Sequence, residues 1–278
     1  GGHLRYMINI IKCSLFILFA ALLVTAPEHA NAAIQIPEKL LGNRLSITVN
    51  VVTNFQASQR RITYDYTFNN SITSMQPLEG IALKFDHDII SSSEPLGWGG
   101  GKYKNKPFWS WGVVAENALL RPGSKINYLI LQSEGLPGIQ PYYAQGEIPI
   151  PNIDELPEDV SEQEFGVAID IFHNSTTGTT VAPTSTSIHA APLEIIDYLI
   201  EQTRSARQAG WIQSNGIVNS LIQKLQAARD SYKRRQFQVM QNQLLAFQNH
   251  VRAQSKKHIS GNAVTILMTG SDVAIQKL

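Results

Sequence analysis

The sequence predicts a multidomain protein of the β plus α class, an antiparallel β-sandwich followed by a small antiparallel helical bundle. Three observations predict it. Apolar residues alternate with period two between Ile47 and Ile130, as half-buried strands require. From Leu193 onward they recur at steps of three and four, as amphipathic helices require. The charge also changes sign along the chain. Residues 33–190 hold ten Lys/Arg and sixteen Asp/Glu, whereas residues 191–278 hold eleven Lys/Arg and five Asp/Glu. The whole chain has a formal net charge of only +1, which argues against a dedicated nucleic-acid binder.

The chain divides into four parts on this reading. Residues 1–32 comprise upstream residues and a cleavable export signal. Met7 is the expected start, Lys12 precedes an apolar run from Cys13 to Val24, and Ala30-Asn31-Ala32 offers a small-residue cleavage site. That order of charge, short apolar core and A-x-A site describes a secretory signal. The run is short for a membrane span, so no permanent membrane anchor is expected. The expected localisation is periplasmic or extracellular. Cys13 is the only cysteine, so the mature chain has no disulfide, thiol nucleophile or thiolate ligand.

Residues 33–147 read as the sandwich. Ile47, Val49, Val51 and Phe55 form one alternating set, and Ile62, Tyr64, Tyr66 and Phe68 a second. Ile81, Leu83 and Phe85 form a third, and Ile126, Tyr128 and Ile130 a fourth. Turn residues separate them at Asn69-Asn70-Ser71, Arg121-Pro122-Gly123-Ser124 and Leu136-Pro137-Gly138. The four sets are the expected core faces. Residues 148–190 read as linker: Pro149, Pro151 and Pro157 favour extended chain, Glu158 to Glu164 is acidic, and Asn174 to Ser187 is polar and Thr-rich. The alternation at Val167, Ile169 and Ile171 allows one further strand within it.

The segment Leu96 to Trp111 is the candidate site. It holds three Trp, one Tyr, one Phe and three Lys in sixteen positions, with Gly97 to Gly101 expected as a loop. Trp98, Tyr103, Trp109 and Trp111 are the candidate ligand-binding residues, since aromatic faces stack on sugar rings while lysines reach acidic groups. The alternative is packing: Trp109 and Trp111, two apart, share one strand face and fill the core, and Trp98 closes one end. Asp86-His87-Asp88 reads as a solvated turn, because adjacent strand residues face opposite ways and do not converge on one ion. Asn69-Asn70-Ser71 and Asn174-Ser175-Thr176 match the glycosylation sequon.

Residues 191–278 read as helical. Ile195, Ile196, Leu199 and Ile200 share a face in a helix that ends near Gly210. Ile217, Leu221, Leu225 and Ala228 mark a second helix, and Phe237, Met240, Leu244, Phe247 and Val251 a third. Ser260 is a plausible N-cap for a fourth. Gly261 and Gly270 weaken that last helix by about 1 kcal/mol each, so it is expected to be short or frayed. His250 and His258 have no carboxylate close in sequence and read as packing or surface residues. Lys233-Arg234-Arg235 and Lys256-Lys257 give a basic surface.

Several short motifs stand in order in this region: Gly210-Trp211-Ile212, Asn215-Gly216-Ile217-Val218-Asn219-Ser220-Leu221 and Lys224-Leu225-Gln226-Ala227-Ala228. Asn242-Gln243-Leu244-Leu245-Ala246-Phe247, Val251-Arg252-Ala253-Gln254-Ser255 and Lys257-His258-Ile259-Ser260 follow. They resemble the FIMAH domain, a C-terminal helical module of secreted and surface bacterial proteins. The resemblance covers about residues 190–278 and implies export, a bacterial source and an accessory role at the chain's end. It supplies no catalytic residues to carry over. Arg121-Pro122-Gly123-Ser124, Leu136-Pro137-Gly138-Ile139 and Tyr142-Tyr143-Ala144-Gln145-Gly146 resemble uncharacterised sandwich modules that precede such helical tails.

The sequence contains no nucleophile elbow, P-loop, paired zinc histidines or dinucleotide fingerprint. The expected function is therefore non-enzymatic, with no catalytic residues, cofactor or metal. The leading expectation is an exported binding or adhesion module whose partner is a polysaccharide or cell-wall polymer, with a protein partner available to the helical domain. The alternative is a structural or assembly subunit that contacts other proteins.

Overall fold

The computed structural model describes residues 35–103, 106–148 and 156–278. The expected export signal, Lys104 and part of the Pro-rich stretch lie outside the described residues. The tyrosine-rich alternation gives the central strand, β2 (Arg61–Asn70), in which Ile62, Tyr64, Tyr66 and Phe68 are all fully buried. β2 lies between β1 (Ile47–Gln56) and β7 (Lys125–Ser133), and β4 (Ile89–Ser93) closes that sheet in the order β1-β2-β7-β4. The facing sheet runs β5-β6-β3-β8-β9, from β5 (Trp98–Lys102) and β6 (Phe108–Val113) through β3 (Leu78–Lys84) and β8 (Gly135–Gly146) to β9 (Thr176–Ser187). All pairings are antiparallel. Between the sheets Trp111 meets Tyr66 at 5.3 Å and Phe68 at 6.2 Å between ring centroids, and Phe68 meets Tyr142 edge-on at 6.3 Å. The expected sandwich is thus present.

One core face differs from the alternation in the sequence. Tyr128 is 66% exposed with φ +65°, and the β2–β7 register shifts beside it. The extra residue of a bulge moves every following side chain to the opposite face. Leu129 and Leu131 are therefore fully buried, whereas only Ile126 of the expected set packs partly against the core.

The expected linker is largely structured. β9 adds a twelve-residue strand to β8, because its threonines and Val181 suit a pleated surface. Before it, α1 (Glu162–Ile169) opens with a Ser161/Glu164 capping box. This helix, rather than a strand, uses Phe165 and Ala168 to pack on Leu40 and Val160. Ile171 and Phe172 then cover the outer face of the second sheet at Ala82, Tyr103, Phe108 and Tyr143. Asn174 fixes this excursion. It accepts from Gly42 N–H at 2.8 Å and donates to the carbonyls of Leu40 at 2.7 Å and Ala168 at 2.8 Å. The sequon asparagine is therefore buried and occupied.

Four helices follow: α2 (Pro192–Gln208), α3 (Asn215–Lys233), α4 (Phe237–Gln254) and α5 (Gly261–Ile275). Ser260 caps α5 by accepting from Ala263 N–H, and Gly210 ends the turn after α2 with φ +74°. α5 is continuous through Gly270. A side chain there would lie 2.7 Å from Leu199 and 2.9 Å from Tyr198 of α2, so glycine permits the close approach of the two helices and the packing offsets its low propensity.

The bundle is not a detached tail. α5 lies along the free edge of β1, where the Asn262 side chain donates to Val49 O at 3.0 Å and accepts from Val51 N–H at 3.1 Å. Thr265 donates to Val51 O, and Thr269 meets Thr53 hydroxyl to hydroxyl. From α2, Tyr198 donates to Pro137 O, and Gln202 accepts from Ile139 N–H. The apolar core runs without interruption from the sandwich into the bundle.

Asn262→Ala leaves a strand N–H and C=O without their side-chain partner, and is expected to cost about 1–3 kcal/mol. Urea unfolding measures the loss, and hydrogen exchange should quicken first at the Val51 amide.

Candidate functional site

The alternation within β6 decides where the aromatic residues go. Trp109, Trp111 and Val113 face inward, and their partners in β5 are Lys102, Gly100 and Trp98. Trp111 is 1% exposed and Trp98 6% exposed, with the Trp98 indole donating to Ala118 O at 3.0 Å. Tyr103 is 8% exposed and packs on Phe172 at 5.2 Å beneath the outer face. Trp109 is half-buried against the core. Three of the four candidate residues are thus embedded in the fold, and Trp109 alone keeps accessible surface.

The glycine run was expected as a loop, but Trp98–Lys102 is a strand paired residue by residue to β6. Only Gly97, with φ +86°, makes the turn. Gly100 lies opposite Trp111, and its missing side chain leaves a notch. A Cβ there would stand 2.4 Å from Glu94 Oε1, 2.8 Å from Trp111 Cδ1 and 3.0 Å from Trp109 Nε1. Glu94 Oε1, Trp109 Nε1 and Trp111 Nε1 are all buried without a hydrogen-bond partner. Each such group costs about 1–3 kcal/mol. A carboxylate oxygen and an indole donor therefore converge, unpaired, at one exposed glycine.

β5 is also an edge strand. Tyr103 N–H bonds Phe108 O and Val114 N–H bonds Gly97 O across the β5–β6 hairpin. The alternation of an antiparallel ladder then turns the backbone groups of Gly99 and Gly101 toward β6, and those of Gly100 and Lys102 away from it. Of the lysines expected to reach acidic groups, the two among the described residues are engaged: Lys102 pairs with Asp88 at 3.0 Å, and Lys106 lies 4.3 Å over the Phe172 ring. Sequence reasoning missed Glu94 and Gly100. The available signal was the glycine run opposite a W-x-W strand, since glycine within a strand marks a bulge or a close approach.

The remaining candidates are accounted for locally. Asp86 pairs with Lys84 at 3.2 Å and Asp88 with Lys102, so the two carboxylates turn to different cations. His250 Nδ1 lies 3.4 Å from Ser220 Oγ, which also accepts from Lys224 Nζ at 3.2 Å. Burial and then the Lys224 charge hold the His250 pKa below the ordinary imidazole value. His258 and the two basic runs are exposed.

Residues 196–276, which span most of α2 through α5, match the family model of the FIMAH domain. No curated protein matches the chain. Among solved structures, an uncharacterized protein from Nocardia farcinica, described as having an immunoglobulin-like fold, is similar at 12% identity and a TM-score of 0.30, over 47% of this chain and 96% of that one.

Trp111→Ala is expected to act on stability, at about 3–5 kcal/mol, as read by chemical denaturation; Trp109→Ala should cost clearly less. His250 gives a pH dependence. Its folded pKa is lowered, so the unfolded chain takes up the proton first as pH falls below the ordinary imidazole value. Stability should be full above that value and decline below it, and His250→Asn should flatten the slope of urea midpoint against pH.

Proposed function

We propose that this protein is a non-enzymatic binding or adhesion module, exported to the cell surface or periplasm, that meets its ligand along the open β5 edge. The observation that carries the reading is the Gly100 notch. Unpaired Glu94 and Trp109 atoms gather there beside outward-facing backbone groups, on the side of the sandwich opposite the helices. Unsatisfied buried polar groups are costly, and a ligand that supplies their partners recovers that cost. Polysaccharide binding through stacked tryptophans has little support, because Trp98, Tyr103 and Trp111 are buried. A polysaccharide would have to use hydroxyls at Glu94 and Trp109 instead. The reading as an assembly subunit that contacts other proteins gains support from the same open edge, since backbone N–H and C=O groups on an edge strand are a template for another chain.

The test is retention of the purified chain on insoluble polysaccharides, cell-wall sacculi and immobilised envelope proteins, alongside Gly100→Val. The wild type should be retained on at least one matrix. The variant, which fills the notch at the expense of local shifts of Glu94 and the two indoles, should be lost from it while its far-ultraviolet dichroism and cooperative urea unfolding are retained. Equal retention of the folded variant, or none of the wild type on any matrix, refutes the β5 edge as the contact surface.

A further inference from the structure

The two sheets have four outer edges, and three carry a recognisable block. β1 is covered by α5 through Asn262 and Thr265. β4 is five residues long with a register irregularity between Ile89 and Ser91. β9 carries Pro183, which lacks an N–H, and the Thr176 hydroxyl at its start is tied to the carbonyls of Asn43 and Leu45. Short strands, bulges, prolines and covering helices are the means by which proteins prevent edge-to-edge pairing. β5 is as short as β4, but among the described residues it has no bulge, proline or covering helix. Its register with β6 is regular over all five residues, and three of these are glycines. A Cβ at Gly101 would meet nothing within 4 Å. The one charged residue, Lys102, is held by Asp88.

Resting on the reading of β5 as the contact edge, we infer that the ligand is an extended protein segment that adds to β5 as a further strand and carries a lysine or arginine opposite Gly100. The backbone supplies the first half of the argument. Gly100 and Lys102 turn their N–H and C=O groups outward, the repeat that an added strand pairs with, and glycine lets another backbone come close. The carboxylate supplies the second half. Residues directly opposite in paired strands point to the same face. The side chain opposite Gly100 therefore emerges beside Glu94, whose Oε1 lies 2.4 Å from the position of a Gly100 Cβ. That Oε1 is already buried without a partner, and an added strand would cover what remains accessible of the side chain, which without a cation is strongly unfavourable. A basic residue in the partner meets that demand and sets the register. The acidic excess of residues 33–190 draws a basic segment in the same sense.

The probe is a capped heptapeptide, Thr-Val-Thr-Lys-Thr-Val-Thr, added to the full chain, with a glutamate-centred counterpart and a soluble neutral oligosaccharide as comparisons. Amide hydrogen exchange at Gly100 and Lys102 is the readout. Saturating lysine peptide should slow both amides by about tenfold or more. It should bind about tenfold more tightly than the glutamate peptide, and Glu94→Gln should abolish that preference without touching the backbone. Unchanged exchange at both amides, equal affinity for the two peptides, or slowing by the oligosaccharide alone overturns the inference. If matrix retention still depends on Gly100 while the peptide fails, the contact edge stands and the strand partner falls.

Discussion

The free edge of β1 is the constraint on which the arrangement of the molecule rests. A sheet that ends in a long strand of alternating valines exposes a row of backbone groups, and these must be paired or covered. Asn262 meets that demand with an amide that both donates and accepts. It engages Val49 O and Val51 N–H as a neighbouring strand would. This places α5 on the sandwich, and Gly270 lets α2 close on α5. The remaining helices pack on that pair. The FIMAH-type bundle is thereby part of one continuous core with the sheets rather than a mobile appendage.

The same core determines the fate of the aromatic residues. The inner faces of two packed sheets need large side chains, and Tyr66, Phe68, Trp111 and Tyr142 meet there at edge-on and tilted angles. Burial pushes the Tyr66 phenol pKa well above its ordinary value, which keeps the hydroxyl neutral. Trp111 fills the centre of the packing, and Gly100 opposite it is the accommodation that its bulk requires. The notch at the edge is thus a consequence of core packing, and it brings Glu94 and Trp109 together where no short sequence motif joins them.

The sequence made the architecture legible wherever a simple period governed. The four inward residues of β2, the buried stripe Met240, Leu244, Phe247 and Val251, and the Ser260 cap all follow from local rules. It was not legible where one residue changes the count or where distant segments decide. The Tyr128 bulge inverts the remainder of β7, and period-two reasoning has no means of anticipating an inserted residue. The Thr-rich stretch of β9 reads as low complexity until β8 is placed beside it. Asn174 looks like a surface sequon, although two of its three partners, Leu40 and Gly42, lie more than 130 residues away in the chain. Of the site, the W-x-W pair and the glycines were visible as a cluster, but whether they faced in or out depended on pairing. Glu94 carries no mark that separates it from the other acids of its half.

Covered and open edges lie on opposite sides of the fold. The bundle occupies the β1 side, so the ten-residue β1 edge is withdrawn from association by a folded module. On the opposite side the crossover Glu94-Pro95-Leu96-Gly97 carries the chain from one sheet to the other. It delivers a carboxylate and an unprotected strand to the same place. A protein under pressure only to avoid aggregation would block β5 as it blocks the other three edges, for instance with a free lysine at the centre. Here the central position is glycine, and the flanking lysine is neutralised by Asp88. On the proposed reading, protection on one side and openness on the other let the module present a single edge selectively, with the orphaned groups beside it to discriminate what arrives.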